Sequence, residues 1–459
     1  MDPFPSSPRA KPPVPEFLQG AGGPGPRRQR SLLVRYGLLL MLAAGWLVVM
    51  AEPVRLMALY LSPPRVFLKD FMQEWLMARA VMNGTNPYLP LAQLAGTFFA
   101  PPPDLIGLGL PSPHPPPVVL LAWPFGLLDY PAAALAWFML ELACIGASVY
   151  LLLKWWQGGR PSWGRTLGIT LLVLGLAPFW EGLLYGQLSA LLLLLLICVW
   201  RSQTQVVAGC FLGAALSLKL MGAPIFLFFL IQKKWRAASV ALSVFVLAHI
   251  AAALVMGFGP VGHYYGSVAG AMASVYRLVE WNFSVWTLGW RLFAGVRGPF
   301  EQSTAILPLF QQPGAALYAS VSLLLAVLGT GLFLALKAKD RESAYAVLFC
   351  VTPVAGPIAW IHYLVLLLLP FAVTLRRLGR AGFPLPQTAL WALLAGALLI
   401  PDYTLINALV YFNINGAGTG PVTVSFAAGL LTLVPLAVTL CLMGLVAWSS
   451  SKGAKGRDI

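Results

Sequence analysis

Residues 116–153 read PPVVLLAWPFGLLDYPAAALAWFMLELACIGASVYLLL, and the way this stretch divides decides the fold. Its first apolar run, Pro116–Leu128, holds 13 residues, fewer than the ~17 that an α-helix needs to cross a bilayer. We read it as a half-inserted or interfacial helix and Pro131–Leu153 as a full span. The basic residues test that division, because the loops that stay in the cytoplasm carry the excess of Lys and Arg. With one span in the stretch, Lys154, Arg160 and Arg165 remain inside; with two they would be exported.

Upstream, Arg27, Arg28 and Arg30 precede the apolar run Ser31–Met50, which places the N-terminus in the cytoplasm and residues 51–130 outside as a long first loop. Downstream, spans are expected near 166–180, 187–200, 205–218, 222–232, 236–256, 314–336, 344–358, 361–375, 387–400 and 422–448. The expected fold is therefore an all-α integral membrane bundle of about twelve transmembrane helices with both ends inside. The clusters Lys233-Lys234-Arg236, Lys337-Lys339-Arg341, Arg376-Arg377-Arg380 and Lys452-Lys455-Arg457 then all lie in the cytoplasm. The acids run the other way. Asp70, Glu74, Asp104, Glu181, Glu280, Glu301 and Asp402 fall outside or at outer span ends, as do His114, His263 and His362. Residues 1–30, rich in Pro, Gly and Arg, read as a disordered cytoplasmic tail, 31–448 as one polytopic domain, and 449–459 as a cytoplasmic tail.

Composition agrees with this class. The chain is 59% hydrophobic and 10% charged, with a mean hydropathy of +0.79, whereas soluble domains carry about 25% charged residues. The net charge of +15 comes from short clusters between apolar runs, not from one continuous basic stripe, so a membrane explains it better than nucleic acid. Cys144, Cys198, Cys210, Cys350 and Cys441 stand singly in apolar segments without ligand spacing and read as core thiols. No phosphate-binding loop, dinucleotide fingerprint, zinc-protease motif or serine-nucleophile elbow is present, so no metal and no cofactor is expected.

An outward acidic face and short inner loops suit a membrane enzyme with an outer active site. The candidate centre runs from Lys69 to Tyr88. A helix over Phe67–Met82 would place Asp70 and Glu74 on one face, with Gln73 beside them, before Asn83-Gly84 ends it. The plain alternative is an amphipathic surface helix whose acids face water. Tyr185-Gly186-Gln187 offers a turn and an amide, and His114 precedes a proline run that rigidifies the end of the first outer loop. Lys219 interrupts an apolar stretch and should meet either the surface or an anion such as phosphate. Glu141, without a basic partner in sequence, reads as a structural acid. A transporter or lipid flippase is the rival class, but no internal repeat with broken helices is visible and the polar residues cluster outside.

Taken in order, Asp70 in a long first outer loop, Gly84-x-Asn86-Pro87-Tyr88, a Pro-Pro before a short helix, Gly186-Gln187, Lys219, Asn282-x-Ser284 and His362-Tyr363 resemble glycosyltransferase family 87. The likeness covers roughly residues 65–375. It implies a GT-C-type bundle whose long first outer loop carries short amphipathic helices. The implied reaction is inverting transfer of a hexose, mannose in the first instance, from a polyprenyl-phosphate carrier to a lipid or glycan acceptor outside the cytoplasmic membrane. By that resemblance Asp70 is the general base; the chemistry of the outer-face residues then makes Glu74, Arg79, Gln187, Lys219, Asn282 and His362 the substrate-binding candidates, with Arg291 a further cation to consider.

Overall fold

The computed structural model describes residues 26–99, 109–300, 303–415 and 422–452, with side chains described from residue 41 onward, apart from residues 42, 43, 451 and 452. Asp104, Glu301, Lys455 and Arg457 lie outside the described residues, as does the N-terminal tail up to residue 25. Residues 26–30, expected in that tail, already belong to the helix Pro26–Tyr60. The chain divides into two units, Met1–Ala51 and Glu52–Ile459. The second unit carries every candidate site residue.

Among its described residues, that unit is helical apart from two short parallel strands, Ala305–Ile306 and Thr423–Val424. Among the described residues, five segments are long and apolar enough to cross a bilayer: Tyr130–Gln157, Trp235–Met256, Pro313–Lys337, Ile361–Arg380 and Phe426–Ser450. Two bent pairs, Trp163–Leu174 with Ala177–Tyr185 (84°) and Leu385–Ala397 with Asp402–Val410 (77°), raise the number to seven if each is one span. The expected span 166–180 is thus interrupted, and the helix expected at 387–400 stops at Ala397 and bends into a second helix. Gly175 and Pro178 explain the first break and Pro401 the second. The breaks meet: Ala177 N donates to Leu398 O at 2.7 Å, and Asp402 N donates to Glu181 Oε1 at 2.9 Å.

The helices at the expected spans 187–200, 205–218 and 222–232 are Ser189–Arg201, Gln205–Leu218 and Ala223–Ile231, with 13, 14 and 9 residues. At 1.5 Å per residue they reach only ~13–21 Å, against a hydrocarbon core of ~30 Å. Pro117–Gly126, at 10 residues, is the short helix foreseen before the span Tyr130–Gln157. That span opens with Pro131 in its first turn and ends at Gly158 in the left-handed region, as a helix stop requires.

Close packing explains one sequence feature. Gly209 and Gly213 lie one turn apart on Gln205–Leu218, facing the long helix Trp235–Met256. A Cβ on them would sit 2.6 Å from Ala237 O and 2.5 Å from Ala241 O respectively. Only hydrogen lets the two backbones approach so closely, which is how small residues join helices in lipid. The thiols correct an expectation. Cys144 and Cys350 are buried, but Cys210 and Cys441 are exposed. An apolar helix in a membrane bundle is apolar on its outer face too, so hydropathy alone could not separate core from periphery.

Candidate active site

The expected helix Phe67–Met82 is interrupted. A single 3₁₀ turn, Arg65–Leu68, is followed by Lys69 in extended conformation, and the α-helix runs Phe71–Met82 with Asp70 at its N-cap position. Asp70 does not cap the helix with its side chain. Its carboxylate instead accepts a hydrogen bond from Gln187 Nε2.

The neighbouring lysine holds that arrangement. Lys69 is buried, and its ammonium donates to Leu183 O at 2.8 Å and Leu184 O at 2.5 Å. These carbonyls end the helix Ala177–Tyr185, where a cation is favoured by the helix dipole. The chain then turns at Gly186, φ +72°, where a Cβ would lie 2.8 Å from Phe71 Cβ. Trp137 Nε1 fixes the turn by donating to Gly186 O at 3.0 Å. Gln187 is thereby delivered to Asp70. Burial lowers the Lys69 ammonium to about 8, against the opposing pull of Glu141 and Asp70. Lys69 is thus the basic neighbour that Glu141 lacks in sequence, and both Glu141 carboxylate oxygens are enclosed.

Burial, and then the Glu74 carboxylate one turn on, push Asp70 up to about 6; His114, Lys219 and the Gln187 amide pull the other way. Glu74 is 1% exposed, and its Oε1 lies 2.8 Å from His114 Nδ1. His114 is itself clamped through its backbone. His114 N donates to Ser112 Oγ, and Tyr88 Oη donates to His114 O at 3.1 Å. Tyr264 Oη donates to the adjacent Pro113 O at 2.9 Å.

Across from Asp70, Lys219 ends the helix Gln205–Leu218 in extended conformation. Its ammonium donates to Tyr363 Oη at 3.0 Å and lies 4.6 Å from that ring's centre. His362 is buried beside Tyr363, at the start of the turn Ile361–Leu367, and its Nε2 is enclosed without a hydrogen-bond partner. A Cβ on Gly182 would lie 3.7 Å from His362 Cβ, and Gln187 N donates to Gly182 O at 3.0 Å. The helix that delivers Gln187 therefore also backs His362. Asp70 and Lys219 are both partly exposed, unlike Lys69, Glu74 and His362 around them.

Three of the sequence-derived candidates, Asn282, Arg79 and Arg291, have partners elsewhere in the fold. Asn282 is wholly buried, and its amide makes four bonds to backbone: Nδ2 donates to Tyr276 O and Pro357 O, and Oδ1 accepts from Ser284 N and Ala359 N. It ties two loops together and has no group left for a ligand. Arg79 donates to Gly126 O at 3.3 Å and lies over the Trp75 and Phe98 rings. Arg291 is buried against Thr432, Gly429, Asn282 and Glu280. Glu74 is enclosed against His114. The sequence reading missed the Glu74–His114 pair, since 40 residues separate the partners. It also missed Tyr276, whose hydroxyl lies within electrostatic reach of Asp70 and Tyr363.

The fold and site define a class: a helical membrane protein with a carboxylate, Asp70, within electrostatic reach of a partly exposed lysine, Lys219. The chain belongs to glycosyltransferase family 87, whose family model matches residues 113–355, more than half of the sequence. It is similar to the polyprenol-phosphate-mannose-dependent alpha-(1-2)-phosphatidylinositol mannoside mannosyltransferase of Mycobacterium tuberculosis, with 33% identity over 185 residues, covering 37% of this chain and 41% of that relative. The matched family region contains His114, Gln187 and Lys219; Asp70, Glu74 and His362 lie outside it.

Proposed function

We propose that the protein is an inverting membrane glycosyltransferase that moves a hexose, mannose in the first instance, from a polyprenyl-phosphate carrier to a hydroxyl of a lipid or glycan acceptor on the outer face of the membrane. The long spans and the shorter apolar helices then together form a GT-C-type bundle. The observation that carries this reading is the placement of Asp70, held by Gln187, with Lys219 among the cations that act on it.

The chemistry needs those two kinds of group. As the acceptor oxygen bonds to the anomeric carbon, its proton passes to the Asp70 carboxylate. The anomeric carbon–oxygen bond to phosphate breaks, and the bonding pair leaves with the polyprenyl phosphate. Lys219, with Tyr363 beside it, meets the charge that develops on that leaving group. The relative's dependence on polyprenol-phosphate mannose supports the donor class, and the positive-inside pattern supports the outer placement.

The test is transfer by purified protein from a panel of radiolabelled polyprenyl-phosphate sugars, with Asp70→Asn as the control. Transfer from none of them, in the presence of membrane-lipid acceptors, would sink the reading. Impermeant thiol labelling of Gln93→Cys but not Lys233→Cys in intact cells tests the orientation, and the reverse pattern would overturn it.

A further inference from the structure

The loop that follows the helix Ala269–Arg277 reverses the usual order of burial. Asn282, the polar residue, is wholly buried together with Phe283, whereas Trp281 stays partly exposed. Three more partly exposed aromatic residues, Trp360, Tyr276 and Phe300, form a row with it. Trp281 stacks on Phe300 with ring centres 6.2 Å and planes 8° apart. Its other neighbour is Trp360, at 6.2 Å and 41°, and Trp360 in turn meets Tyr276 edge to face at 6.0 Å. The buried amide sets the spacing of the row. Asn282 Nδ2 donates to Tyr276 O and Pro357 O at 3.0 Å each, and Ala359 N, just before Trp360, donates to Asn282 Oδ1 at 2.9 Å. One side chain thus fixes the backbone beneath Tyr276, Trp281 and Trp360, although the fold gains only part of the burial that two tryptophans offer.

One end of the row lies at the candidate base. The Tyr276 hydroxyl is within electrostatic reach of Asp70 and Tyr363, and Tyr363 N donates to Trp360 O at 2.8 Å. The four rings carry no charge, and Arg277, next to Tyr276, lies over the Trp290 ring, 4.2 Å from its centre. An anionic ligand would need a fixed cation. Uncharged ring faces suit a pyranose instead, because the C–H face of a sugar ring is apolar and slightly positive and packs on the negative face of an aromatic ring. We infer that Trp281 and Trp360, flanked by Phe300 and Tyr276, hold a sugar ring of the acceptor, which is therefore a glycan or glycolipid recognised by its carbohydrate. The ring held there belongs to the acceptor and not to the donor because it is the acceptor hydroxyl that must reach Asp70, where the row ends. The inference rests on the proposed function for the reaction and adds the class of the acceptor and the residues that bind it.

The experiment separates a ring face from mere apolar bulk. Trp281→Leu and Trp360→Leu keep the bulk and lose the face, whereas Trp281→Phe and Trp360→Phe keep a face. With octyl mannoside as acceptor and polyprenyl-phosphate mannose as donor, each leucine variant is expected to raise KM for the acceptor about tenfold, with kcat and KM for the donor unchanged. Each phenylalanine variant should recover most of that loss. Leucine variants with the wild-type KM for the acceptor, or losses shared equally by donor and acceptor, would overturn the inference. The first of these is what tryptophans serving only as anchors at the membrane interface would give.

Should the leucine variants fail to fold, or octyl mannoside accept no sugar, binding to the unaltered protein gives the answer without turnover. A mannoside carrying a diazirine on its aglycone is expected to label peptides containing residues 276–300 or 357–363. Mannitol carrying the same photophore has the hydroxyls but no ring, and should leave those peptides unlabelled. Labelling elsewhere, or equal labelling by both probes, would refute the assignment. Wild-type transfer from the donor tests the proposed function separately.

Discussion

If Asp70 is the base, the reaction should lose rate as Asp70 takes up a proton, and the structure says where. Burial and Glu74 place the group at about 6, so it is ~90% ionised at pH 7 and ~10% at pH 5. The transfer rate should therefore fall close to tenfold between those values. A phosphodiester donor has no ionisation in this range, so the acid limb belongs to the enzyme. Two near-isosteric substitutions should move it in opposite directions. Glu74→Gln removes a like charge that disfavours the Asp70 carboxylate, so the limb should shift to lower pH. Gln187→Leu removes the amide that donates to that carboxylate, so the limb should shift to higher pH. Asp70→Asn, which keeps the size but cannot take a proton, should cost about 100-fold or more at pH 7 and above and should lose the acid limb. The assay is initial-rate transfer in nanodiscs from pH 4.5 to 8 with acceptor saturating. A limb that stays in place in both variants, or an Asp70→Asn enzyme within a few-fold of wild type, would refute Asp70 as the base.

Glu74 and His114 should act as a unit. Glu74→Gln in a His114→Gln background is expected to add less than about twofold to the loss in kcat/KM, whereas multiplied effects would show that they work separately. Asn282→Asp loses the amide donors to two carbonyls, and should lower the yield of folded protein and its melting temperature by several degrees. A variant that melts like wild type but has a raised KM would restore Asn282 as a ligand. Gly213→Ala places a methyl group 2.5 Å from Ala241 O and should destabilise by ~1–3 kcal/mol, while Gly146→Ala, with nothing within 4 Å of its Cβ, should be neutral or stabilise by up to ~1 kcal/mol. Equal melting temperatures for the two would refute the close-packing argument.

The parts of this molecule that were legible in sequence are those set by local composition. The 13-residue run before Asp129 was too short to cross, and the chain builds a 10-residue helix there. Lys219, costly in an apolar run, proved to end one helix and bond Tyr363. Gly186-Gln187 was readable as a turn with an amide, though not as the donor to Asp70.

Pairings over distance were not legible. Periodicity could extend a helix through Phe67–Met82, but not foresee that Lys69 would leave it to reach the carbonyls of Leu183 and Leu184. That departure turns Asp70 from a surface position into a held one. The same limit explains Asn282. A polar residue between outer spans looks like a ligand group until both faces of its amide are seen bound to backbone. In a chain with so few polar residues, each must either hold the fold or meet a substrate. Counting its satisfied hydrogen bonds separates the two: the Asn282 amide has none to spare, whereas Asp70 and Lys219, both partly exposed, have one side-chain partner each, Gln187 and Tyr363.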